Sequence, residues 1–105
     1  MAVSQLTPAR VGTNLSAAGT PQQVTTVSTI VRSCVFYAPL GNTGNLYLSP
    51  NAGGATATLG ITLAPGESYS VTGDLIGGEY KPFNLSEWYF DGGTSNDDLV
   101  INYWS

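Results

Sequence analysis

Apolar side chains recur along this chain in short alternating segments separated by turn residues. Over residues 31–38, Cys34, Phe36 and Ala38 take one face of an extended segment and Val35 and Tyr37 the other. Both faces are largely apolar, which predicts a central strand covered on two sides. Leu46 and Leu48 resume the alternation with Tyr47 between them, until Pro50 and Asn51-Ala52-Gly53-Gly54 stop it. In GITLAPGESYSV, residues 60–71, Ile61 and Leu63 alternate with Gly60 and Thr62, and Tyr69 and Val71 alternate with serines. Pro65 presets φ for the first central position of a turn, and Gly66 supplies the positive φ of a type II turn at the second. The stretch reads as a hairpin.

The remaining segments follow the same grammar. Gly41-Asn42-Thr43-Gly44 offers positive-φ residues for a tight reversal. Residues 71–84 read as a long loop punctuated by Gly73, Gly77, Gly78 and Pro82, and LSEWYF at 85–90 as an aromatic strand. DGGTSNDD at 91–98 is a polar turn, and LVINYW at 99–104 a closing strand. Turn signals every 8 to 12 residues, with no 3.6-residue period anywhere, predict an all-β fold, a β-sandwich or jelly-roll-like domain of about seven short strands. Its expected core is Val31, Cys34, Phe36, Leu46, Leu48, Ile61, Leu63, Val71, Phe90, Leu99 and Ile101.

The amino-terminal stretch is different. Residues 1–29 carry a single charge, Arg10, among Ser, Thr, Ala, Gly and Gln, and Pro8 and Pro21 interrupt any helix. Val3, Leu6, Val11 and Leu15 are too sparse to form a core of their own. The expected organisation is therefore an extended arm over residues 1–20, lying along a neighbouring protein, and a β-sandwich over residues 21–105 with Pro21 to Val27 as its first strand. Val3, Leu6, Arg10, Val11 and Leu15 are the arm's candidate contact residues, and the sandwich is expected to fold without residues 1–19.

Composition removes most chemistry. Charged residues are 10% of the 105, against about 25% in ordinary domains. Arg10, Arg32 and Lys81 are the only cations, too few and too scattered for the basic patch that nucleic acid requires. There is no His, and Cys34 is the single Cys, so neither a thiol–imidazole pair nor a Cys/His zinc site can be assembled. Asp91, Asp97 and Asp98 crowd one turn without the spacing of a calcium loop; Asp in such turns usually bonds nearby backbone. Glu67 and Glu87 do not specify a paired-carboxylate site and read as solvated. The chain is thus expected to be non-enzymatic, without cofactor or metal. No apolar run is long enough to span a bilayer. Residues Met1 to Leu15 lack a basic start and an apolar centre, so synthesis in the cytoplasm without a signal peptide is expected. Trp88, Tyr89, Phe90, Tyr47 and Trp104 suit either a protein interface or sugar stacking.

The segments VRSCVFYAPLGNTGNLYLSP, GITLAPGESYSV and LSEWYFDGGTSNDDLVINY, in that order, form a series that resembles small virion proteins of tailed bacteriophages. Those proteins carry a strand ending in Ala, an Asn-Thr-Gly turn, a Leu-Xaa-Pro-Gly-Glu hairpin and a Leu-Ser-Xaa-aromatic-Tyr strand. The match covers residues 31–103 and departs at SPNAGGATATL, which replaces a shorter turn. The resemblance implies a capsid decoration, or cement, protein on the virion surface: a homotrimer bound to the major capsid protein or another virion protein. A carbohydrate-binding β-sandwich using Trp88, Tyr89 or Tyr47 is the alternative.

Overall fold

The computed structural model describes residues 8–72, 75–76 and 79–104. Twelve strands run through them: β1 (Pro8–Asn14), β2 (Gln22–Gln23), β3 (Ile30–Val31), β4 (Ser33–Tyr37), β5 (Leu46–Ser49), β6 (Ile61–Leu63), β7 (Ser68–Thr72), β8 (Leu75–Ile76), β9 (Glu79–Tyr80), β10 (Phe83–Asn84), β11 (Tyr89–Gly92) and β12 (Asp98–Trp104). The protein is all-β, consistent with a small β-sandwich. One four-stranded antiparallel sheet has the order β1-β12-β4-β7 and the other β2-β11-β5-β6. We call them the first and second sheets. Two short pairs, β3 with β10 and β8 with β9, complete the pattern.

The two sheets close on one apolar layer. Cys34, Phe36, Leu99 and Ile101 enter it from the first sheet, and Leu46, Leu48, Leu63 and Phe90 from the second. Val31 joins them, so nine of the eleven side chains expected inside are buried. Ile61 and Val71 are only partly buried, packed against the layer from strands nearer its margin. Leu15, Val24 and Leu85 are core residues that alternation did not mark, and Ala38, on the face of Cys34 and Phe36, joins them.

Several expectations need correction. Residues 8–14 are not an arm separate from the sandwich: they form the longest pairing of the first sheet, Pro8 opposite Trp104 through Asn14 opposite Asp98. Leu15 is fully buried. A strand-length segment beside the chain's own β12 finds its hydrogen-bond partners there, at no cost of association. Val3 and Leu6 lie outside the described residues. The Pro65-Gly66 turn is real, with Glu67 N donating to Ala64 O at 2.9 Å and Gly66 at φ 90°. Yet it does not close a hairpin, because β6 pairs with β5 and β7 with β4. It is the corner at which the chain leaves one sheet for the other. Residues 85–87 form a 3₁₀ turn whose Asn84 side chain accepts from Ser86 N, so the aromatic strand starts only at Tyr89. Residues 75–80, expected as loop, contain the β8–β9 pair. β4 is central, but on its outer side Val35 and Tyr37 remain half-exposed.

Candidate functional site

Pairing register places side chains on the outer face of the first sheet in rows. One row runs Arg10, Asn102, Val35 and Ser70, and the next Gly12, Val100, Tyr37 and Ser68. Trp104 stands beside Ser33 beyond the first row, and Asn14 beside Asp98 beyond the second. Val35, Tyr37, Val100 and Trp104 are all half-buried, and Arg10, Asn14, Asp98, Ser68 and Ser70 are exposed around them. Along its middle the face mixes Val35, Tyr37, Val100 and Trp104 with Asn102 and Ser33, and it is polar at both flanks, a composition that suits protein binding.

At one end of this face Gly12 leaves a gap. A Cβ added there would meet nothing within 4 Å. The gap opens into a pocket of about 310 Å³ walled by Asn14, Asp98, Val100 and Pro39. Asn14 Nδ2 donates to Asp98 Oδ1 at 2.9 Å and to Asn96 O at 2.8 Å, holding the carboxylate at the rim.

The other acids of that turn serve the backbone. Asp97 is buried, and its two carboxylate oxygens accept from Thr43 N at 2.9 Å and Gly44 N at 2.8 Å. Asp91, also buried, accepts from Gly19 N and Gly92 N. Asn42 acts as a side-chain strand: its Nδ2 donates to Asp98 O and its Oδ1 accepts from Asp98 N, both at 2.8 Å. These bonds hold the 41–44 reversal, which needs no positive φ; among the described residues only Gly19, Gly66 and Asn96 have one. Among the described residues no group of three or more acidic or Cys side chains is placed to hold a metal ion. Glu67 is tied to its own turn, its Oε1 accepting from Ala64 N at 2.7 Å, and Glu87 is exposed far along the chain from it.

Cys34 offers no nucleophile. Burial pushes its thiol from 9.0 up to about 12, offset in part by a hydrogen bond to the Val71 backbone. It is fully buried and protonated at any physiological pH.

The candidate aromatics lie in different places. Trp88 packs at the core margin, its ring centroid 5.1 Å from that of Phe36. Tyr47 lies opposite Asp91 and Tyr89 opposite Ser49, so the two tyrosines are diagonal neighbours on the second sheet's outer face. Of the arm candidates, Arg10 stands exposed on the first sheet's outer face. Val11 turns inward, opposite Ile101, against the core that Leu15 enters. The five are thus not one contact surface. Sequence reading missed Gly12, Asn14, Asn42 and Gln22. Only Asn42, inside a turn motif, carried a local signal; Gly12 and Asn14 matter through a strand distant in the chain, and Gln22 through the Asn14 carbonyl that its Nε2 holds. No protein-family model matches the chain, and no curated protein matches it.

Proposed function

We propose that this chain is a non-enzymatic structural protein of a virion, a decoration (cement) protein that binds the major capsid protein of a phage head and stabilises it. The observation that carries this reading is the outer face of the first sheet, where Val35, Tyr37, Val100 and Trp104 stand half-exposed in a polar surround. A surface of that composition loses free energy when a partner covers it. The order of turns and strands that resembles small phage virion proteins supports the identity of the partner. The scarcity of charge and the structural employment of Asp91, Asp97 and Glu67 weigh against catalysis.

The experiment is co-sedimentation of the purified chain with phage heads lacking decoration, followed by thermal melting of the heads. Binding with a raised head melting temperature is expected. Tyr37→Asp and Val100→Asp, each placing a charge in the apolar row, should weaken binding by about tenfold or more, as central interface residues do. Heads that melt unchanged at saturating protein would remove the cement role.

The diagonal pair Tyr47 and Tyr89 supports a second reading, sugar stacking on the second sheet. Retention on a polysaccharide resin, lost in Tyr89→Ala, would favour it.

A further inference from the structure

β1 is an edge strand seven residues long, and among the described residues nothing pairs with its second side. An open edge of that length is a template for another strand. The direction of its backbone groups follows from its end. Leu15 N donates to Asp97 O at 2.9 Å, and Leu15 O accepts from Asn96 N at 2.8 Å, so Leu15 turns both groups toward the β12 side. Antiparallel ladders alternate. Ala9, Val11 and Thr13 therefore also face β12, while Pro8, Arg10, Gly12 and Asn14 present their groups to the open side.

We propose that two copies of this chain join along β1, antiparallel, with Val11 opposite Val11 of the second copy. The first sheet then continues across both as one eight-stranded sheet, twice the four strands of each copy. In this register Arg10 faces Gly12 of the second copy, and the two exchange both backbone hydrogen bonds; symmetry repeats the exchange. Asn14 N donates to Pro8 O of the second copy. The reverse bond would need an N–H that proline lacks. Its acceptor, Asn14 O, is already occupied by Gln22 Nε2 at 2.9 Å. No donor or acceptor along the joined edges is left unmatched.

Neighbouring registers are worse. A shift of two residues one way sets Arg10 against Arg10, and like charges directly opposite repel. A shift of two the other way directs Arg10 N–H at the Asn14 carbonyl that Gln22 already holds. A shift of one residue puts the outer face of one copy opposite the inner face of the other.

Charge selects the same register. Arg10, exposed on the outer face, extends over Gly12 of the second copy, where no side chain blocks it. That gap is the mouth of the pocket whose wall carries Asp98. Each copy thus lays its one edge cation toward the other copy's Asp98 carboxylate, which Asn14 holds in place. A three-fold ring would instead join β1 to a different edge, because a head-to-tail contact uses two unlike surfaces.

The test uses the full chain with no capsid present, so its outcome stands apart from the virion reading. Two single-cysteine variants, Val11→Cys and Thr13→Cys, are oxidised mildly; the native Cys34 is buried. Val11→Cys should run as a covalent dimer on a non-reducing gel, and Thr13→Cys, opposite Ala9 of the second copy, should not. Sedimentation should show a monomer–dimer equilibrium. Arg10→Asp should weaken it by about tenfold or more by setting like charges together, and adding Asp98→Arg should restore it. Circular dichroism confirms that each variant folds; if Val11→Cys does not, the charge-reversal pair decides alone. Equal cross-linking of both cysteine variants, a trimer, a monomer at all concentrations, or a dimer indifferent to Arg10→Asp would each overturn the proposal.

Discussion

At the scale of single residues, the side chains that look most chemical are the ones most committed to structure. Asp97 sits in a cluster of acids, and its two carboxylate oxygens accept from the backbone N–H groups of Thr43 and Gly44. Cys34, expected in the core, is fully buried there, and burial makes its thiol inert. Its titration has a measurable consequence. The folded state holds the proton to about 12, whereas an exposed thiol releases it near 9.0. The thiol's contribution to stability is therefore complete below pH 9.0 and falls as pH rises from 9.0 toward about 12, because only the unfolded chain ionises in that window. Urea midpoints measured from pH 8 upward should decline for the native chain, and decline less for Cys34→Ala, which starts lower because of the cavity it leaves. A thiol reagent at pH 8 should modify the native protein only at the rate at which it opens.

At the scale of elements, alternation was legible and pairing was not. Residues 33–37, 46–49 and 98–104 are strands where period-two patterning puts them, because each buries one face on the core. The Pro65-Gly66 turn is equally local: Pro sets one dihedral and Gly the next. What no local signal carries is which sheet a strand joins, so a turn chemistry suited to hairpins serves a corner. Gly66→Ala should cost about 1–2 kcal/mol from the positive φ alone, since a Cβ there strains the left-handed region. Leu40 must also yield, its Cδ2 lying 2.7 Å from where that Cβ would stand, and denaturant unfolding measures the sum. The misread arm has the same origin. Val11 and Leu15 are four residues apart in a polar stretch, and only β12, more than eighty residues later, makes them interior. Deleting residues 1–15 removes β1 and a fully buried Leu, worth about 2–5 kcal/mol by itself. The remaining chain should show no cooperative thermal transition, where an independent sandwich would keep one.

At the scale of the whole molecule, the decisive contact joins residues 8–14 to residues 98–104. β12 lies between β1 and β4, so it holds together segments far apart in the chain. It also supplies Leu99 and Ile101 to the core and Asp98 to the pocket rim. The candidate faces were hard to read from sequence for this reason: Arg10, Gly12, Asp98 and Val100 form one surface only after the chain has closed on itself. Closure of so long a loop has an entropic cost that must be met before its contacts form, and folds built on non-local strand pairs refold in about milliseconds to seconds. Refolding followed by tryptophan fluorescence should fall in that range, with Trp88 reporting its approach to Phe36. Until β12 arrives, β1 has no ladder to hold it flat and Gly12 has no pocket behind it. A chain ending at Asp97 should therefore lose the fold and the dimer together. If it kept a cooperative transition, or cross-linked through Val11→Cys as the full chain should, β12 would not be the element on which both depend.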